Sequence, residues 1–135
     1  MNFISGINAT SSALEAEKVR MDIVAENISN AYTTRGLDGK AYQRKTVAFE
    51  ALLGTGKDRA GGVHIVEIGR DATPGEMIRN PTHPHADKDG MVQMPNVSVS
   101  TEMVDLLAAS RAYEANLSVV RTARQMAAKA LSIGR

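Results

Sequence analysis

Ile7, Leu14, Met21 and Ile28 recur every seven residues, and Glu15, Glu17, Arg20, Asp22 and Glu26 lie off that row. An apolar row at this pitch, with charges beside it, predicts an amphipathic helix of coiled-coil spacing over residues 1–30. Val24 and Ala25 widen the stripe. Ser12 followed by Glu15 fits a Ser-x-x-Glu capping box, which predicts a firm helix start near Ser12. The run before it, with Gly6, Asn8 and Thr10, reads as frayed when the chain is alone.

A second row, Leu106, Tyr113, Val120 and Ala127, has the same pitch near the other end of the chain. Met103, Leu117 and Leu131 hold the complementary positions, with Ser110 and Arg124 as polar exceptions. This predicts a helix within residues 97–135, about 33 residues and roughly 50 Å long at about 1.5 Å per residue. Asn96 or Ser100 is placed to cap its start, Glu102 and Asp105 fall in its first turns, and Gly134 follows its last. Arg121, Arg124, Lys129 and Arg135 load its C-terminal half, an order that suits the helix dipole.

Residues 31–96 read differently. They hold nine of the eleven glycines and all four prolines, so long helices are excluded there. Tyr42 to Phe49, Val63 to Ile68 and Met91 to Met94 read as strands. Gly54 to Gly62 has no bulky apolar residue and reads as a mobile loop. The fold class is therefore mainly α with a small β region. Long N- and C-terminal helices pair as a coiled coil and bracket a short glycine-rich β-hairpin and loop segment. Residues 1–30 and 97–135 form one helical domain, and residues 31–96 form the small β and loop region.

Neither helix can bury its stripe alone, and one antiparallel seam leaves Ile23, Val24, Val104, Leu107 and Val119 over. Apolar surface of that extent predicts a protein partner. The acidic bias of the first helix faces a basic bias in the second, which can guide pairing within or between subunits.

Composition sharpens this picture. Nineteen of the 135 residues are alanine, only 4% are aromatic and none is tryptophan, so side chains that fill a thick core are scarce. Long, closely packed helices suit such a chain. The absence of cysteine excludes a disulfide framework and thiolate chemistry. No apolar run reaches the length of about 18 residues that a membrane span needs. Met1 to Ala16 lacks the basic and apolar regions of a cleavable signal peptide. The net charge of +1 offers no footprint for nucleic acid or an anionic membrane.

Candidate chemistry is thin. His83, His85, Asp87 and Asp89 alternate along one short run and could converge on a metal ion. The stronger reading is a structural turn, because Asp-x-Asp-Gly bonds its own backbone and no further oxygen ligands follow. A small metal-binding protein using this segment is the alternative function. Ser, His and Asp are all present without a Gly-x-Ser-x-Gly elbow, and the paired glycines lack the context of a phosphate loop, so no enzyme and no cofactor are expected. Arg44 and Lys45 beside Tyr42 read as a solvated strand face rather than a nucleic-acid contact. Tyr113 reads as a rung of its helix. The seven methionines supply adaptable packing, which favours protein contacts.

Three segments also resemble a known family. Ala25 to Thr33 (AENISNAYT) is similar to the Ala-Asn-Asn-Leu/Ile-Ala-Asn-x-x-Thr signature of flagellar axial proteins. Glu102 to Asn116, with Thr122, Met126 and Leu131, resembles their C-terminal helix. Pro81 to Val97 resembles a segment that marks the proximal member of the flagellar basal-body rod family. The matching positions include Asn27, Asn30, Thr33, Pro81, His83, Pro84, Asp87, Gly90, Pro95 and Asn96. Glu26 and Ser29 depart from the signature, and Thr34 to Lys40 is a small local variation.

The resemblance implies a structural subunit of the bacterial flagellar rod, the drive shaft across the periplasm. It implies export through the flagellar type III apparatus rather than by a cleaved signal. The implied partners are copies of itself, other rod subunits and the base of the basal body and export gate, with no membrane insertion. Ile7, Leu14, Met21, Ile28, Met103, Leu106, Tyr113, Leu117 and Val120 would carry the helix packing of such an assembly. Asn27 and Asn30 would make backbone hydrogen bonds where the first helix ends.

Overall fold

A computed structural model of the chain describes residues 3–52 and 61–134. Two long helices enclose four strands in chain order: α1 (Phe3–Ser29), β1 (Lys45–Leu52), β2 (Gly62–Arg70), β3 (Met77–Arg79), β4 (Met91–Gln93) and α2 (Val99–Ile133). The mainly helical class with a small β part is what the apolar periodicity predicts. No described helix is long and apolar enough to cross a membrane.

The helices run antiparallel. Asn27 meets Glu102 and Arg20 meets Asp105, so moving back along α1 advances along α2. With 35 residues against 27, α2 outruns α1 by eight residues, about 12 Å at the usual rise.

The centre of the seam differs from the apolar rows. The buried positions are Ala16, Val24 and Asn27 on α1, and Glu102, Ala109 and Ala123 on α2. Ile7, Leu14, Met21 and Ile28 flank this line half-buried, as do Leu106, Tyr113, Leu117 and Val120. Alanine at the centre lets the backbones approach, and the longer side chains then close over the sides. One expectation is corrected: Val24, read as surplus, is buried, whereas Met103 and Leu131, read as rungs, stay 56% and 76% exposed in the single chain.

Both expected caps also fail. The helix begins by Phe3, and Ser12 lies inside it. The Ser12 hydroxyl donates to the Ala9 carbonyl at 2.8 Å and accepts the Val63 amide at 3.0 Å, so it ties the hairpin to α1. Ser98 occupies the cap position of α2 without a side-chain cap bond, and Ser100 is already helical. Asn96 is used elsewhere, as shown below.

β1 and β2 form an antiparallel hairpin that packs on α1. Ala48 faces Glu67 and Phe49 faces Ile65, which leaves Val66 as the extra residue of a bulge. The strand expected from Tyr42 starts three residues later, because Tyr42 and Arg44 turn their side chains and amides to other partners. β3, which the sequence pattern did not suggest, pairs with β4 over three residues. Gly75 is required beside this pair, since a Cβ there would lie 1.8 Å from the Met94 carbonyl oxygen. The loop expected from Gly54 lies, up to residue 60, outside the described residues, and Gly62 opens β2.

Candidate functional site

A connected polar cluster lies where the end of α1, the entry to β1 and the start of α2 converge. Asn27, 1% exposed, uses its whole amide. Its Nδ2 donates to the Lys45 carbonyl at 2.9 Å and to Glu102 Oε2 at 3.0 Å. Its Oδ1 accepts the Lys45 amide and the Tyr42 hydroxyl, both at 2.9 Å. Asn27 therefore acts as an extra strand partner for β1 on one edge and as a clamp on α2 on the other.

Glu102 is fully buried, and its second oxygen accepts Arg44 Nε. Arg44 reaches on to Asp105 at 3.5 Å, and Asp105 also faces Arg20 at 3.7 Å. The two acids and two guanidinium groups form one alternating chain across the helix pair. A carboxylate in such a site persists only with its charge compensated and both oxygens bonded, which Arg44 and Asn27 accomplish. Lys45 pairs with Glu26 on the outer rim.

The backbone of Arg44 is held as firmly as its side chain. Its amide donates to Asn96 Oδ1 at 2.7 Å, and its carbonyl accepts the Asp71 amide at 2.8 Å. Asn96 Nδ2 closes the ring on the Asp71 carbonyl at 3.0 Å. Asn96 thus ties the chain before α2 to both ends of the hairpin, and for that reason it does not cap the helix. Burial, then the charge of Glu26, pushes the Tyr42 phenol up to about 12, so it stays an O–H donor to Asn27. Hydrogen bonds from Thr73 hold the Asp71 carboxyl below its usual range.

An open hollow of about 410 Å³ borders this arrangement, lined in part by Arg20, Arg44, Lys45 and Asp105, whose charged groups are paired with acids or bases of the network. The chemistry of the network is mechanical: it fixes the angle between the helices and the hairpin. Arg44, Lys45 and Tyr42 are not a solvated strand face, because all three bond to α1 or α2. Sequence reasoning missed Arg44, Glu102 and Asp105 as partners. A glutamate in the first turn of a helix normally faces water, and nothing local marks this one as buried.

Residues 7–35 match the family model described as flagella basal body rod protein. Residues 88–133 match the model described as flagellar basal body rod FlgEFG protein C-terminal. The flagellar basal-body rod protein FlgC of Yersinia enterocolitica is 37% identical over 134 residues, with 99% of each chain covered. That of Salmonella typhimurium is 36% identical over the same span, again with 99% of each chain covered. That of Bacillus subtilis is 37% identical over 150 residues, with 100% of each chain covered. The chain belongs to the FlgC family of flagellar basal-body rod proteins.

The motif positions of this FlgC-family chain fall into three groups. Asn27 and Asn96 belong to the junction. Asn30 and Thr33 shape the exit from α1: Asn30 Nδ2 donates to the Glu26 carbonyl at 2.9 Å, and the Thr33 hydroxyl donates to Asn30 Oδ1 at 3.2 Å. The remaining positions, Pro95 after the strand excepted, build the turn before β4. Asp87 Oδ1 accepts the amides of Asp89 and Met91 at 2.9 and 2.8 Å. Gly90 takes φ +73° with Pro81 packed against it, and Pro95 is buried. The His85 amide donates to His83 Nδ1 at 3.1 Å, and His85 Nδ1 meets the Thr34 hydroxyl at 2.8 Å. Pro84 lies exposed between the two histidines.

The metal-binding alternative is not favoured. Among the described residues no group of three or more His, Asp or Glu side chains is placed to hold an ion. Asp87 turns its carboxylate inward on its own backbone, which is the local bonding that Asp-x-Asp-Gly turns prefer.

Proposed function

We propose that this rod-family chain is a structural subunit of the proximal part of the flagellar rod and acts without catalysis. It is exported by the flagellar type III apparatus and polymerises in the periplasm by packing its terminal helices against other rod subunits, copies of itself and the basal-body base. The two helices serve as one unit in the axial wall, and residues 31–96 set the contacts around it.

The observation that supports this best is the imbalance of the helix pair. Val104, Leu107, Val119, Met126, Leu131 and Ile133 remain exposed on α2 after α1 has covered its share. A helix that keeps apolar rows on sides its own chain does not reach is built for further helices. The rigid junction complements this, since a subunit that transmits torque must hold its helices at one angle to the rest.

The test is the content of purified basal bodies. A tagged, functional copy of the chain is expected in the rod fraction. Its absence from basal bodies that are otherwise complete would overturn the assignment.

A further inference from the structure

We infer that the C-terminal overhang of α2 docks on the outward stripe of α1 in a second copy of this chain, guided by opposite charge. The inference rests on the rod-subunit reading and names the surfaces that meet.

Ala123 is the last buried residue of α2. Beyond it Met126, Leu131 and Ile133 are 55%, 76% and 84% exposed. Arg121 just before Ala123, and Arg124 and Lys129 beyond it, are exposed and in no ion pair among the described residues. The helix dipole does not account for these cations. It acts within the last turn, and the last turn of α2 holds no basic residue.

α1 presents the complement. Ser11, Glu15, Lys18, Asp22, Ala25 and Ser29 are all exposed and alternate in steps of four and three, so they share one face. Glu15 and Asp22 join no ion pair among the described residues, and Lys18 is the only cation of the stripe. Serine and alanine between them leave room for a helix to approach.

The two surfaces cannot meet within one copy, because α1 turns Ala16, Val24 and Asn27 to its own subunit and this stripe away from it. Between copies they join two different patches, a heterologous contact that propagates instead of closing a dimer. The antiparallel sense already present in one copy continues naturally. With Lys129 beside Glu15, Arg121 comes level with Asp22, since the pairs are eight and seven residues apart, about 12 and 11 Å along their helices. α1 and α2 then alternate around a continuous layer. The charges choose partner and register, and burial of Met126 and Ile133 adds affinity.

Charge reversal tests this better than removal, because single exposed pairs contribute little while repulsion is specific. Glu15→Lys with Asp22→Lys, or Arg121→Glu with Lys129→Glu, is expected to abolish swarming. Both pairs together are expected to restore it, with helix content by circular dichroism unchanged throughout. Normal swarming by either single-surface variant, or no recovery in the combined one, would overturn the contact.

The chain has no cysteine, so Glu15→Cys with Lys129→Cys gives a background-free crosslink. Oxidation of assembled basal bodies is expected to produce a ladder of linked chains. Monomer alone, from basal bodies that contain the chain, refutes the contact and leaves the rod assignment standing. Absence of the wild-type chain from basal bodies refutes that assignment instead.

Discussion

Asn27 and Glu102 lie 75 residues apart and meet through a 3.0 Å hydrogen bond sealed from solvent. The bond clamps the last full turn of α1 to the first turn of α2, and Arg44 completes it from the strand side. Removing one member leaves a charge or an amide buried without its partner, which costs more than the bond itself contributes.

Arg44→Ala is therefore expected to destabilise the chain by about 3–5 kcal/mol, the range for stranding a buried charge. Asn27→Asp places a second carboxylate against Glu102 and should lie at the upper end of that range. Glu102→Gln removes the charge and should partly rescue Arg44→Ala. Urea denaturation of the four proteins, read as a double-mutant cycle, measures this. Additive losses would contradict the network.

The large half-buried residues act at the sides of the seam. Leu14→Asp and Leu117→Asp should each abolish assembly and motility, because a carboxylate there disfavours packing within and between chains. Soft-agar swarming is the readout, and normal swarming by both variants would refute the role given to these rows.

Gly75 and Gly39 separate sterics from backbone strain. Gly39→Ala meets open space and only the left-handed φ of +76°, so a loss of about 1–2 kcal/mol is expected. At Gly75 a Cβ collides with the Met94 carbonyl, and Gly75→Ala should cost about 3 kcal/mol or more, as overpacking against fixed backbone does. Thermal melts should rank the two in that order.

The Tyr42 phenol, pushed up to about 12 in the folded chain from an ordinary 10, couples folding to alkaline pH. Below pH 10 both folded and unfolded chains keep the proton and nothing changes. Between pH 10 and 12 the unfolded chain loses its proton first, so stability falls as pH rises. Tyr42→Phe should flatten stability across that window. Ultraviolet titration of phenolate in the folded protein should show one late-ionising tyrosine that the substitution removes.

Much of the architecture was legible beforehand. Two seven-residue apolar rows located both helices, and glycine and proline confined the strands to the middle. The site was less legible. The Asn27 side chain, near the end of α1, bonds the backbone of Lys45 at the start of β1 rather than the helix exit itself. Its partners come from 15, 18 and 75 residues away. Ser12 and Asn96 read locally as caps, yet each is recruited by a distant strand or loop, because a hydroxyl or amide serves whichever backbone group is brought to it.

The sequence by itself determined the two helices, the family motifs and the surplus of apolar surface. These follow from period, composition and turn chemistry, all of which act between near neighbours. Only the tertiary structure decided that alanines would sit along the centre of the seam and a buried, paired glutamate at one end of it, with the large apolar residues at its sides. That choice depends on how closely two backbones approach and on whether a buried charge finds every partner it needs. Both are settled when distant segments meet.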